Sequence, residues 1–140
     1  MTDKQVFQDA YFTVLVDEQR GIVRTVRSST PFPSLEELGD IFARLGDALD
    51  ALGRSRYGLL ADLRAGPGRN DPEFEIVMEQ RHRPRWIGGF RKVGVLVRST
   101  VGVMQIQRHA RSDGFERMIS KDEDELLTYL TDDVSSGKKG

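Results

Sequence analysis

The sequence predicts an α/β sandwich: an N-terminal β-hairpin, then alternating helices and strands, giving a mixed sheet of roughly four to five strands with about four helices. Three observations predict it. Two β-rich runs flank a short charged turn near the N-terminus, and two nearly continuous apolar runs further on have the pattern of strands covered on both faces. Between and after them, apolar residues recur at helical spacing behind capping residues.

The hairpin comes first. Tyr11-Phe12-Thr13-Val14-Leu15-Val16 and Ile22-Val23-Arg24-Thr25-Val26-Arg27 are separated by Asp17-Glu18-Gln19-Arg20-Gly21. In the second run Ile or Val alternates imperfectly with Arg and Thr, so one face is expected to be wet, as in an edge or outer strand. Pro31 and Pro33 end it. Ser34-Leu35-Glu36-Glu37 then has the form of a capping box, followed by Leu35, Leu38, Phe42, Leu45, Leu49 and Leu52 at gaps of three and four. This stripe predicts an amphipathic helix lying on a sheet. Gly39 and Gly46 flank it, and each costs about 1 kcal/mol relative to Ala, which close packing against the sheet would justify.

Tyr57-Gly58-Leu59-Leu60-Ala61-Asp62-Leu63 and Val93-Gly94-Val95-Leu96-Val97-Arg98 are the expected central strands. Between them Asp71 stands as an N-cap before Pro72, and Phe74, Val77 and Met78 carry a helix to about Arg83. Ser99 or Thr100 caps a further helix through about Arg111. It is apolar on two sides, Val101 with Met104 and Val103 with Ile106 and Ala110, as in a helix that is deeply buried or shared with a partner. Residues 115–119 form a last short strand. Ser120-Lys121-Asp122-Glu123 opens a final helix with Leu126, Leu127 and Leu130, whose run of acids is read as a solvated first turn favoured by the helix dipole. The domain is thus expected over residues 10–131, after an extension of residues 1–9 and before a disordered polar tail of residues 132–140.

A chain of 140 residues has material for one core. Its 38% hydrophobic and 31% charged residues exclude a disordered chain, and no apolar run reaches membrane-spanning length. With no cysteine, disulfides, thiolate chemistry and cysteine-based metal sites are excluded. Met1-Thr2-Asp3-Lys4-Gln5 has no targeting pattern, so a cytoplasmic location is expected. Net charge is −1, but residues 63–118 carry 11 basic and 6 acidic groups, a local excess that hints at an anionic partner.

The element order, with Leu60-Ala61-Asp62-Leu63-Arg64 ending a strand and Asn70-Asp71-Pro72 opening the next helix, resembles the STAS superfamily, in particular SpoIIAA-like anti-sigma-factor antagonists. The resemblance covers about residues 10–131 and implies that fold and a habit of binding protein partners. In the family the helix after this strand opens with an Asp-Ser pair whose serine is a phosphorylation switch. Counting from Asp62, that pair falls near Asn70 and Asp71, where no hydroxyl stands, so the usual phosphorylatable serine is missing. Asp71 is read either as a fixed charge in its place or as a plain N-cap.

Three groups of residues are candidate sites. The loop bearing Asp62, Arg64, Arg69, Asn70 and Asp71 follows a strand's carboxyl end, where α/β folds often hold ligands. Against a phosphate site, Asp71 places a negative charge on the amides that such a ligand needs. Val101, Met104 and Ile106 are the expected interface. Arg81, Arg83, Arg85 and Trp86 form the densest basic patch, which could stack on bases or be a solvated helix end closed by Trp86; nucleic acid is not expected, since no known module pattern accompanies it. His82 and His109 stand at no metal-ligand spacing, no cofactor motif occurs, and no set of nucleophile, base and orienting group is present. The expectation is therefore a non-enzymatic regulatory module that binds another protein and itself as a homodimer. The alternative is a carrier of a small anionic or lipid-like ligand.

Overall fold

The computed structural model describes residues 3–67, 72–99, 103–104 and 117–131. Its strands are β1 (Asp3–Gln8), β2 (Phe12–Asp17), β3 (Ile22–Arg27), β4 (Gly58–Asp62), β5 (Lys92–Leu96) and β6 (Met118–Ser120). They form one mixed sheet in which spatial order equals chain order. β1, β2 and β3 pair antiparallel, and β3 to β6 pair parallel. The sheet was expected to have fewer strands; the additional one is β1. Its composition, Asp3-Lys4-Gln5-Val6-Phe7-Gln8, hides it, so the pattern places residues 1–9 ahead of the domain whereas the structure pairs Asp3–Gln8 into the sheet. As an edge strand it buries little beyond Phe7, and a register shift between Gln5 and Phe7 leaves Val6 exposed.

The period of two in each strand decides what goes where. Phe12, Val14 and Val16 of β2, Val23 and Thr25 of β3, Leu59 and Ala61 of β4, and Val93 and Val95 of β5 point to one face. That face is covered by α1 (Leu38–Leu52), and by α2 (Pro72–Val77), which runs through a π-helical turn (Met78–His82) into α3 (Arg83–Ile87). Crossovers of one hand between strands that advance in one direction place their helices on the same side. Ile22, Leu60 and Leu96 point the other way and meet Leu126 and Leu130 of α4 (Glu123–Thr131). Both central strands are thus covered on both faces, as their apolar runs predict.

Three local expectations are corrected. β3 is an interior strand, not an edge: Arg24 and Arg27 sit on it because each finds partners, described below, and not because a face is wet. The helix expected to stop at Arg83 continues to Ile87, with Pro84 directly after the π-helical turn as the second residue of α3. The glycines of α1 do not face the sheet. Gly46 receives the guanidinium of Arg85, while a methyl at Gly39 would meet no atom within 4 Å. The capping role of Ser34 survives in a looser form: its Oγ accepts the N–H of Glu37 at 3.2 Å, one turn before α1. Among the described residues no helix is long and apolar enough to cross a membrane.

Candidate binding site at the carboxyl end of the strands

β4 ends at Asp62, whose side chain points to the α4 face beside Leu60 and is 5% exposed as a residue. Burial there opposes ionisation, but Arg64 wins. It reaches back with Nε to Oδ1 at 3.0 Å and Nη2 to Oδ2 at 2.8 Å, and its backbone N–H donates to Oδ1 at 3.1 Å. These bonds, with Arg64 and Arg24 as nearby cations, hold the Asp62 carboxyl below the usual carboxylate range. Across the strand pair, Arg24 of β3 lies 3.9 Å from Asp62 and donates through Nη2 to Glu123 Oε2 at 2.7 Å. Glu123, at the start of α4, is also 3.5 Å from Arg64.

Two arginines and two carboxylates therefore close into a quartet that joins β3, β4 and α4. This corrects the reading of Glu123 as a solvated first-turn acid. It also changes the sense of Arg64, whose fork is spent on Asp62 within its own loop and not held out for a free anion. Of the other loop candidates, Arg69, Asn70 and Asp71 lie outside the described residues, as do Val101 and Ile106 of the expected interface. Met104 is described and is 62% exposed.

The basic patch does not stand together. Trp86 is buried on the α1 side, its Nε1 donating to Thr25 Oγ1 at 3.1 Å. Arg85 binds Asp47 at 2.6 Å and Asp50 at 2.9 Å on α1, and Arg83 lies 3.5 Å from Glu75. Arg81 alone of the four points outward as an exposed residue. His82, next to it, is buried and stacks on Phe42 with ring centres 5.2 Å apart; burial, and then the charge of Arg81, push its pKa down.

Arg27, which the sequence reading passed over, ends β3 on the opposite face from Asp62 and is 6% exposed. Its guanidinium lies 4.0 Å from the ring centre of Phe32. Nη1 donates to the carbonyls of Ser28 at 2.8 Å and Tyr11 at 3.4 Å and to Ser28 Oγ at 3.4 Å. Desolvation lowers its pKa against the weaker pull of Tyr11 and Asp9. The signal was present in the alternation: Arg27 shares the parity of Val23 and Thr25, whereas Arg24 has the parity of Ile22.

The chain is similar to an uncharacterised protein of the DUF3478 family with a SpoIIAA-like fold from Shewanella loihica PV-4, with a TM-score of 0.57 and 11% identity, over 89% of this chain and 98% of that one. The fold is SpoIIAA-like. No protein-family model matches the chain, and no curated protein matches it. At this identity the likeness carries the fold and not the activity. Within the SpoIIAA-like domain, the quartet sits at the end of the sheet where ligands and partners of open α/β folds bind. A groove of about 640 Å³ shares Arg24 and Glu123 with it and extends toward the β2–β3 turn, away from the strands' carboxyl ends, walled also by Asp3, Asp17, Gln19, Arg20, Ile22 and Leu127.

Proposed function

We propose that this SpoIIAA-like domain is a non-enzymatic regulatory module that recognises another protein, and a second copy of itself, through the surface at the carboxyl end of its parallel strands. The observation that carries the reading is the Arg24–Asp62–Arg64–Glu123 quartet. A general acid or base works best with a pKa near the working pH, and Asp62 is held in the other direction. Four charges that cancel give little net attraction for a small anion. Fixed charges of both signs, with the Arg64 side chain 46% exposed and that of Glu123 35%, suit the register and selectivity of a protein interface. Met104 adds an exposed apolar side chain in the segment that follows β5. The missing serine at Asn70 and Asp71 favours regulation by binding without the phosphorylation switch of the family that the chain resembles.

Native mass spectrometry of the purified protein tests the reading. A homodimer that Met104→Asp or Arg64→Glu converts to monomer, with the fold retained by circular dichroism, supports it. A monomer carrying a stoichiometric small molecule replaces it with the carrier of an anionic or lipid-like ligand. The polar walls of the groove weigh against that alternative, since carrier sites are mostly apolar.

A further inference from the structure

The two arginines of β3 face opposite ways and have opposite circumstances. Arg24 is closed into the quartet. Arg27 is more deeply buried, yet no ion pair joins it to any described carboxylate. A buried guanidinium without a counter-charge is costly, and its ordinary compensation is a paired, hydrogen-bonded carboxylate or phosphate. The stack on Phe32 and the bonds from Nη1 offset part of that cost. They engage one corner of the guanidinium only. Among the described residues Nε and Nη2 hold no partner, and together they form the edge that grips two oxygens of an oxyanion side by side.

The surroundings are built around this side chain. The loop 63–67 that leaves β4 turns over it, closed by Gly66 N–H donating to the carbonyl of Leu63 at 3.1 Å. Gly66 lies so near that a methyl there would come within 2.9 Å of Arg27 Cγ, which is why the loop needs glycine at that point. Phe32 forms the floor, in tilted contact with Tyr11 at 5.6 Å and Phe74 at 6.1 Å. One carboxylate stands in the vicinity. Asp9 is within electrostatic reach of Arg27, but its Oδ1 accepts the N–H groups of Tyr11 at 2.8 Å and Phe12 at 2.9 Å, and its Oδ2 lies 3.6 Å from Arg44. Asp9 is thus shared with a second cation, although its buried Oδ2 accepts no hydrogen bond, and among the described residues the two arginines outnumber the one carboxylate at this corner.

We propose that Arg27 is the centre of an oxyanion site beneath the loop that leaves β4, taking the carboxylate or phosphate group of a small molecule against the Phe32 ring. The site goes beyond the protein-recognition reading: it lies on the α1 face, and the quartet lies on the α4 face. An occupant would tie β3 to the loop that follows β4, and so connect the two faces at the end of the sheet.

The test is a titration of the ¹⁵N-labelled full-length chain, following the arginine Nε–H signals assigned by through-bond correlation from the backbone. Inorganic phosphate and acetate are added in separate arms, each against sodium chloride at equal ionic strength. The expected result is a saturable shift of the Arg27 signal with phosphate, with acetate, or with both, which also identifies the preferred oxyanion, while the Arg24 and Arg64 signals stay in place. Arg27→Lys keeps the charge and loses the fork, and is expected to weaken binding at least tenfold. An Arg27 signal that moves no more with either oxyanion than with chloride overturns the proposal, and so does a saturable shift confined to Arg64. The wild-type titration decides the matter even if the variant does not fold. A homodimer unaffected by phosphate leaves the protein-recognition reading standing whichever way the titration falls.

Discussion

Single side chains in this domain hold together segments far apart in sequence, and Arg54 is the strongest case. It follows α1, with Nε on Asp50 at 2.7 Å, Nη1 on the carbonyls of Trp86 at 3.2 Å and Gly88 at 2.7 Å, and Nη2 on those of Gly46 at 3.3 Å and Arg85 at 2.6 Å. Its donors complete the carbonyl end of α3, a task that capping residues usually perform, and reach the Gly46 carbonyl inside α1. Arg54→Ala leaves those acceptors without their donor and is expected to cost on the order of 3 kcal/mol in urea unfolding. Gly39 is the opposite case. With open space where a methyl would go, Gly39→Ala is expected to raise stability by up to about 1 kcal/mol in the same measurement. His82 adds a pH dependence. Its folded-state pKa lies below the ordinary 6.5, so the native state binds fewer protons than the unfolded chain there, and stability falls as pH drops through that value. Urea midpoints taken between about pH 8 and about pH 5 should fall more steeply for wild type than for His82→Phe, which keeps the stack on Phe42 and cannot titrate.

At the scale of elements, α4 is seated by absence of bulk. Cβ atoms at Gly58 and Gly94 would come within 3.3 Å of Leu130 and Leu126, so the helix lies directly on the backbone of β4 and β5. Gly94→Val should lift α4 and cost about 1–3 kcal/mol, and amide exchange should quicken in residues 123–131 before it does in α1. The elements most legible in the sequence were those with two-sided burial or a long stripe. β4, β5, α1 and α4 follow directly from continuous apolar runs, from Leu38 to Leu49 at helical spacing, and from Leu126 with Leu130. β1 was illegible because an edge strand needs few apolar residues, and its partner's hydrogen bonds, not its own burial, make it a strand. The π-helical turn at Met78–His82 was equally hidden. It lies within a stripe of ordinary helical spacing, Met78, His82 and Trp86 at intervals of four and all buried, so the sequence pattern gives no sign of the wider turn.

For the whole molecule, the quartet is where β3, β4 and α4 meet through charge among the described residues. Asp62→Asn breaks it while keeping the shape, and the remaining arginines are then left short of a partner in a half-buried site. The expected loss is on the order of 3 kcal/mol. Because the folded-state pKa of Asp62 is depressed, its contribution is present above the ordinary 3.8 and disappears as pH falls through the lower folded value. Wild type and Asp62→Asn should therefore converge in urea midpoint in strong acid and diverge above about pH 4. Asp62 could be singled out from sequence because it ends an apolar strand, and Arg64 because it follows. Glu123 could not be, since it lies 61 positions further on and only the sheet order brings α4 over β4. Arg27 was masked by a strand whose arginines looked alike in sequence while pointing to different faces.

The agreement of spatial order with chain order bears on how the chain folds. Every strand pairs with the one made just before it, and no strand has to be inserted between two that are already joined. Loop closures are consequently short for a mixed sheet, which favours rapid folding among domains of this size. During synthesis the sheet can grow at a single edge, with β1 to β3 able to pair before β4 emerges, and each later strand docking onto a template already in place. The last step is then the arrival of α4, which closes the second face and brings Glu123 to Arg24 and Arg64: the charged surface at the end of the sheet is completed only when the chain through α4 has been made.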